Sequence, residues 1–115
     1  MRILEGDQII MRIFVNEGDK IHGKTLYHEI VEVLRKEKAA GATVVRAITG
    51  FGADTKLHTA SLLALSKDLP IIIEVIDTEA KISSMRPKVE EIMGDGVITL
   101  EKVHVARYKK TNPKD

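Results

Sequence analysis

The chain contains no cysteine and no tryptophan, and its only aromatic residues are two Phe and two Tyr. Without cysteine there is no disulfide bond, no thiolate nucleophile and no cysteine-ligated zinc or iron–sulfur site. The charges nearly cancel, since 18 Lys and Arg oppose 17 Asp and Glu, which leaves a net charge of +1. Such a balance creates no general field that attracts nucleic acid or an anionic membrane, so any anion site must be local.

Long hydrophobic runs are also missing. No apolar stretch approaches the roughly 20 residues that cross a bilayer, and the first seven residues are too few and too charged for a signal peptide. We therefore expect no membrane insertion and a cytoplasmic location. With 115 residues and 43% hydrophobic content, the chain is predicted to form one domain over 1–110, with a flexible tail at 111–115.

The motifs that mark common enzymes are absent. There is no Walker motif, nucleophile elbow or Rossmann fingerprint, and no acidic residues pair in sequence as an acid–base couple would. The four histidines, His22, His28, His58 and His104, show no metal-binding i, i+4 spacing. The sequence therefore predicts no catalytic residue, no metal ligand and no enzymatic activity.

In the first half of the chain, the hydrophobic pattern predicts a strand, a helix and a second strand. Gln8–Val15 is apolar on both faces, which is typical of a central strand. Thr25–Ala40 has helical periodicity, with Gly41 in place as its terminal glycine and Glu32 and Lys36 four residues apart on its outer side. Residues 43–48 are β-branched and form the second predicted strand.

The second half repeats this pattern after an ambiguous stretch. Residues 61–66 fit either a weak strand or a helical turn, whereas 71–76 give the strongest strand signal and should be central in the sheet. A helix capped near Thr78 should follow, kinked or split in two by Pro87. Residues 97–100 and 103–108 supply one or two final strands.

The resulting order βαββαβ predicts an α+β fold, the ferredoxin-like split βαβ sandwich. Right-handed crossovers place both helices on one face of the sheet and leave the other face uncovered. Association of subunits through that face would bury its apolar residues, which we expect to include Ile10, Phe14, Val44, Ile72 and Ile76.

A glycine-rich segment, residues 49–59, lies between the two halves. Gly50 and Gly52 leave backbone amides open to a ligand, Phe51 between them offers a flat apolar face, and Lys56 and His58 add charge. The alternative interpretation is that Gly-Phe-Gly is a simple turn at the end of a strand. The local pattern alone leaves both interpretations open.

Several motifs in this arrangement resemble those of the nitrogen regulatory PII proteins. The matching residues are Gly50-Phe51-Gly52 after the second strand, His58-Thr59 further along the loop, and Gly94-Asp95-Gly96 before the last strand. An uncharacterised family described as PII-like, domain of unknown function 190, resembles the chain over nearly its full length. That closer match includes residues 41–46, 65–70 and 73–74.

The resemblance implies a homotrimer that binds an adenine nucleotide (ADP, ATP or AMP) in clefts between subunits. It also implies that the mobile loop signals the bound state to a target protein. The residues expected to bind the nucleotide are Arg46, Gly50, Phe51, Gly52, Lys56, His58, Thr59, Gly94, Gly96, Arg107 and Lys109. The loop at 52–61 should become ordered when the nucleotide binds.

The chain departs from the PII pattern in ways that affect these expectations. PII proteins have a phosphate-binding lysine after Gly-Asp-Gly, where Val97 stands here, and neither Tyr27 nor Tyr108 occupies the position of the modifiable tyrosine. Arg46 could reach a phosphate or pair with Glu74 across the sheet. The alternative function is a metal-handling trimer resembling the copper-tolerance protein of the same fold.

Overall fold

The structure, a computed structural model, describes residues 1–51, 58–59 and 68–111, with backbone alone for 58–59. Four strands form one antiparallel sheet in the order β4-β7-β1-β8. They are β1 (Arg2–Asn16), β4 (Thr43–Arg46), β7 (Pro70–Asp77) and β8 (Val97–Lys110). The helices are α1 (Leu26–Lys36) and α2 (Glu79–Ile92). The remaining elements are two short two-stranded ribbons: β2 (Lys20–Ile21) with β3 (Lys24–Thr25), and β5 (Thr49–Gly50) with β6 (His58–Thr59).

The two strands predicted to be central, β1 and β7, occupy the middle of the sheet. The α+β ferredoxin-like plan is thereby confirmed. Its core lies between the sheet and the helices, where Met11, Ile13 and Ile73 pack against Ile30 of α1 and Met85 of α2, all five fully buried. This layer of close-packed side chains fixes the strand ends from which the described loops leave the sheet.

Helix α1 is shorter than the sequence predicted. It ends at Lys36, and Lys38, not Gly41, adopts the left-handed conformation beyond it, with a φ of 61°. The amide of Lys38 donates to the carbonyl of Arg35 at 3.0 Å and the amide of Ala39 to Leu34 at 3.0 Å, which closes the helix early. The expected Glu32–Lys36 pair is also replaced, since the structure pairs Glu32 with Arg35 at 2.8 Å.

Helix α2 is continuous, so of the two outcomes expected at Pro87, a kink or a division into two helices, the second is wrong. Thr78 caps it as predicted, its hydroxyl accepting from the amide of Lys81 at 3.1 Å. Pro87 is exposed, while Met85 and Val89 on either side of it are fully buried. A proline inside a helix removes one backbone hydrogen bond and costs about 3 kcal/mol. The packing of Met85 and Val89 offsets this cost.

The last predicted strands are one strand. β8 pairs with β1 from Val97 opposite Phe14 to Lys110 opposite Arg2, with a register shift between Leu4 and Gly6. The weak strand predicted at 61–66 and the tail at 112–115 lie outside the described residues.

The side of the sheet away from the helices is largely apolar, and we call it the open face. Its residues alternate in register with the helix-side residues and include Ile10, Phe14, Ile72 and Ile76, as expected. Val44 was assigned to the wrong face, because it pairs with the buried helix-side Ile73. Val45, opposite Ile72 and 44% exposed, takes its place.

Candidate functional site

A cavity of about 420 Å³ lies where β1 ends and β8 begins. It brings three of the predicted site residues together, Phe51, Gly94 and Gly96, although they belong to two loops far apart in sequence. The other lining residues are Phe14, Val15, Asn16, Asp19, Lys20, Leu26, Pro70, Asp95 and Val97. Its size and mixed lining suit a small organic ligand with polar groups.

The Gly94–Gly96 loop forms one wall and has little freedom to change. Gly96 has a φ of 152°, and a Cβ placed on it would lie 2.8 Å from the carbonyl oxygen of Phe14 and 2.7 Å from Cε of Met93. Only glycine allows the loop to approach the backbone of β1 so closely. At Gly94, by contrast, an added Cβ meets nothing within 4 Å.

The second loop enters the cavity through Phe51. The backbone of Thr49–Gly50 pairs with that of His58–Thr59 as a two-stranded ribbon. Gly50 has a φ of 150° and passes close to Pro70. The ring of Phe51 is 64% exposed although it is large and apolar. An exposed aromatic ring at a cavity mouth is suited to stacking on a flat ligand.

The third wall is a tight turn that the sequence analysis had not assigned to the site. The side-chain carboxylate of Asp19 accepts a hydrogen bond from the backbone amide of Asn16 at 2.9 Å. The backbone carbonyl of Asp19 accepts one from the amide of Leu26 at 2.9 Å. This turn also presents Lys20 to the cavity. The dense run of turn-forming residues at 16–24 predicts a turn here. That this turn lies beside the glycine loops depends on the pairing of the strands in the sheet.

Arg46 does not line this cavity, and it does not pair with Glu74. The register places Arg46 opposite Ile71, and its guanidinium lies 3.0 Å from Glu17. Glu74 instead pairs at 2.7 Å with Arg12, the residue directly opposite it on β1. The cross-strand alternative for Arg46 is therefore wrong, because the register brings Arg46 to the chain just beyond β1.

Arg12 anchors a charged line across the open face. It donates to Glu74 on β7 and lies 3.2 Å from Glu101 on β8. The hydrogen bond to Glu74, followed by that to Glu101, raises the pKa of Arg12 above its ordinary value. The line fixes the relative positions of three strands and interrupts an otherwise apolar face.

Of the remaining predicted site residues, Arg107 and Lys109 are not brought to the cavity within one chain. Arg107 and Lys109 lie near the other end of β8, where Lys109 pairs with Ile3. About twelve residues of extended strand separate Lys109 from Val97, or roughly 40 Å. Gly52 and Lys56 lie outside the described residues, and for His58 and Thr59 only the backbone pairing is described.

Two further findings concern metals and membranes. Among the described residues, no group of three or more His, Asp or Glu is placed to share a metal ion. In the same part of the chain, neither helix is long and apolar enough to cross a membrane.

The fold is the one found in PII-like proteins. CPII from Thiomonas intermedia K12, a nitrogen regulatory PII-like protein solved with ADP, AMP and bicarbonate, superposes with a TM-score of 0.63 at 17% identity, covering 92% of each chain. A putative PII-like signaling protein from Thermus thermophilus superposes with a TM-score of 0.64 at 17% identity, covering 92% of this chain and 94% of that one. CutA1 from Oryza sativa gives 0.55 at 15% identity, covering 96% and 87%.

Within this class the chain belongs to the family DUF190, described as an uncharacterized ACR, whose model matches residues 8–105. A UPF0166 protein of Aquifex aeolicus is 39% identical over 98 residues, covering 84% of this chain and 90% of the relative. The UPF0166 protein MJ1524 of Methanocaldococcus jannaschii is 36% identical over 97 residues, covering 84% and 89%. The sequence-based family assignment is thereby confirmed.

Proposed function

We propose that this chain is a PII-like signalling protein that binds an adenine nucleotide in the cavity between its two glycine loops. It acts as a regulator, not as an enzyme, and works in the cytoplasm as a homotrimer. The supporting observation is the cavity itself, which joins the exposed ring of Phe51 to the close-packed loop at Gly96. An adenine ring stacks on Phe51, and the loop amides at 94–96 receive phosphate oxygens.

The charge of the cavity supports a site shared between subunits. Among the residues that the structure describes, the cavity lining of one chain sets Lys20 against the carboxylates of Asp19 and Asp95, which leaves no net positive charge for a diphosphate. Arg107 and Lys109 are too far along β8 to help their own cavity, but a neighbouring copy can bring them there. This is how the predicted basic residues take part in binding.

The open face supports association. Val45, Ile76 and Val97 remain 44%, 38% and 55% exposed in the single chain. Their burial between copies contributes roughly 25 cal/mol per Å² of apolar surface removed from water. A closed trimer covers this face on every subunit without leaving an unpaired surface.

The signal passes through the loop at 52–61. This loop contains four of the predicted site residues, Gly52, Lys56, His58 and Thr59, and Arg46 precedes it in the chain. Nucleotide binding selects one conformation of the loop, and a target protein recognises that conformation. Fixing a loop costs about 1–2 kcal/mol per residue, so we expect micromolar dissociation constants. Amide hydrogen exchange with and without ADP tests this step, and unchanged protection at 52–61 in the bound protein refutes it.

The binding proposal is tested by titration calorimetry of the purified protein with ATP, ADP, AMP and cyclic nucleotides. Phe51→Ala should weaken binding at least about tenfold through loss of stacking. It should leave the unfolding midpoint nearly unchanged, because the ring is exposed. Ile48→Ala is the matched control, since Ile48 is 77% exposed nearby and does not line the cavity. No binding of any of these nucleotides refutes the proposal.

Assembly and activity need separate measurements. Light scattering at micromolar concentration should give a mass three times the 12.8 kDa of the chain. A mass of 12.8 kDa contradicts the trimer. A phosphate-release assay with the same nucleotides distinguishes a sensor from a hydrolase, and sustained turnover contradicts the regulatory proposal.

A further inference from the structure

Beside the nucleotide cavity, Arg46 and Glu17 form an ion pair in which Nε of Arg46 lies 3.0 Å from Oε2 of Glu17. Neither residue lines the cavity, but both stand next to its wall. Glu17 follows Asn16, a lining residue, in the chain. Ala47, the neighbour of Arg46, donates its amide to the carbonyl of Pro70, another lining residue, at 2.9 Å. The guanidinium of Arg46 is thus held at the edge of the cavity and outside it.

Stability does not explain the carboxylate of Glu17. Its side chain is only 20% exposed, and its Oε1 is buried without a hydrogen-bond partner in the part of the chain that the structure describes. A buried acceptor without a partner lowers the stability of a protein, and most buried polar groups therefore have one. The contact with Arg46, which uses the other oxygen, is the one ion pair of Glu17 within residues 1–51 and 68–111. The position of Glu17 is explained by its hold on Arg46 and not by its own bonding.

The guanidinium of Arg46 can leave this pair. Its side chain is 51% exposed, and ion pairs of a half-exposed arginine contribute little to stability. A phosphate group offers several oxygens and more negative charge than one carboxylate, and the planar guanidinium matches it with two parallel hydrogen bonds. A phosphate that comes within reach therefore competes successfully with Glu17 for Arg46.

The cavity itself supplies too little positive charge for a chain of phosphates. Its described lining sets Lys20 against the carboxylates of Asp19 and Asp95. Each phosphate group of a nucleotide adds negative charge, so a diphosphate or triphosphate attracts a nearby guanidinium more strongly than a monophosphate does. The charge that distinguishes ADP and ATP from AMP is therefore the charge that draws Arg46 out of its pair.

We infer that Arg46 is the residue that distinguishes nucleoside diphosphates and triphosphates from monophosphates, and that Glu17 is a positioning residue that holds Arg46 outside the cavity until such a ligand binds. The inference rests on the proposed function and names the ligand class of the same site. Arg46 contacts the second phosphate, which AMP lacks. The pair with Glu17 lowers the affinity for ADP, because part of the binding free energy is used to release Arg46.

The variants Arg46→Gln, Glu17→Gln and the double variant test the inference by calorimetric titration with AMP, ADP and ATP. Arg46→Gln should weaken ADP and ATP binding about tenfold, through loss of charge-assisted hydrogen bonds, and AMP binding less than about twofold. Glu17→Gln should tighten ADP binding by about two- to fivefold, since Arg46 is no longer restrained. It should leave the unfolding midpoint nearly unchanged. The double variant should bind ADP as weakly as Arg46→Gln.

Glu90→Gln is the matched control. It releases Arg86 from an exposed ion pair on α2, in which Nε of Arg86 lies 3.8 Å from Oε1 of Glu90. Neither residue lines the cavity. This variant should leave the affinity for all three nucleotides unchanged.

The double variant separates restraint of Arg46 from a general effect of charge. If the negative charge of Glu17 acts only through its field at the cavity, the gain in ADP affinity persists without Arg46, and the inference is wrong. Equal effects on AMP and ADP, an equal gain in Glu90→Gln, or no gain in Glu17→Gln also contradict it. If Glu17→Gln does not fold, an unchanged ratio of ADP to AMP affinity in Arg46→Gln overturns the inference.

These outcomes are distinct from failure of the proposed function. A wild-type protein that binds none of the three nucleotides refutes the proposed function, and the inference with it. A wild-type protein that binds ADP, with variants that behave in any of the contradicting ways, refutes the inference alone.

Discussion

Replacing Gly96 by alanine should destabilise the protein far more than the same change two residues earlier, at Gly94. The new Cβ at position 96 lies 2.8 Å from the carbonyl oxygen of Phe14, and at position 94 it meets nothing within 4 Å. Phe14 belongs to a central strand and pairs with both Ile72 and Val97, so its backbone cannot yield without disturbing two neighbours. The Cε of Met93, 2.7 Å away, ends a flexible side chain and can move aside.

The magnitude follows from two terms. Holding an alanine at a φ of 152° costs about 1–3 kcal/mol, because this region is accessible mainly to glycine. Crowding against fixed backbone adds about 1–3 kcal/mol. We therefore expect Gly96→Ala to lower the free energy of unfolding by about 2–6 kcal/mol. Gly94→Ala should change it by no more than about 1 kcal/mol.

Urea unfolding followed by circular dichroism measures both variants against the wild type. At about 4 °C per kcal/mol, a thermal melt should show Gly96→Ala at least about 8 °C below the wild type. The folded fraction of Gly96→Ala should also bind ADP more weakly, because the loop can no longer lie against β1. If the two variants unfold within about 1 kcal/mol of each other, the close approach does not determine this loop and the reasoning fails.

Three further experiments test other contacts. Asp77→Ala should lower the free energy of unfolding by about 3–5 kcal/mol, because its buried carboxylate accepts from two backbone amides and one arginine; a loss below about 1 kcal/mol in urea would contradict this. A double-mutant cycle on Arg46 and Glu17 should give a coupling of at most about 1 kcal/mol, since Arg46 is half exposed, and a larger value means that the pair is structural. The hydrogen bond from Arg35 lowers the pKa of Glu32 below its ordinary 4.5, so this pair stabilises the protein above that pH and less as the pH falls through the folded-state pKa. Melting curves of Glu32→Gln should accordingly show a smaller fall on acidification than those of the wild type.

Local chemistry determined much of this protein. Gln8–Val15 and the run at 71–76 both have apolar residues on the two faces of the predicted strand. Strands of this kind are buried on both sides, so the sequence alone predicts their central positions in the sheet. The stripe of Leu26, Ile30 and Leu34 likewise fixes the buried side of α1. Together with the glycine motifs these patterns were sufficient for the fold and the family.

Tertiary structure decided what depends on register and on where loops meet. Sequence could not show that Arg46 faces Ile71 while Glu74 faces Arg12, because a shift of one residue exchanges the two faces of a strand. For the same reason Val44 and Val45 could not be assigned to their faces. The early end of α1 before Lys38 is accompanied by a hydrogen bond to Arg2 of β1, which no local pattern records.

At both ends of the sheet, the sequence gives the residue types and the tertiary structure decides which residues come together. The sequence predicted Phe51 and Gly96 as binding residues from the motifs that they belong to, but only the antiparallel pairing of β1 with β8 places them around one cavity. Nothing in the sequence joins Lys38 to Lys81, which meet at one end of the sheet because each stands beside a helix terminus there. Residue type sets what a site can bind, and the packing of helices on the sheet sets which residues share it.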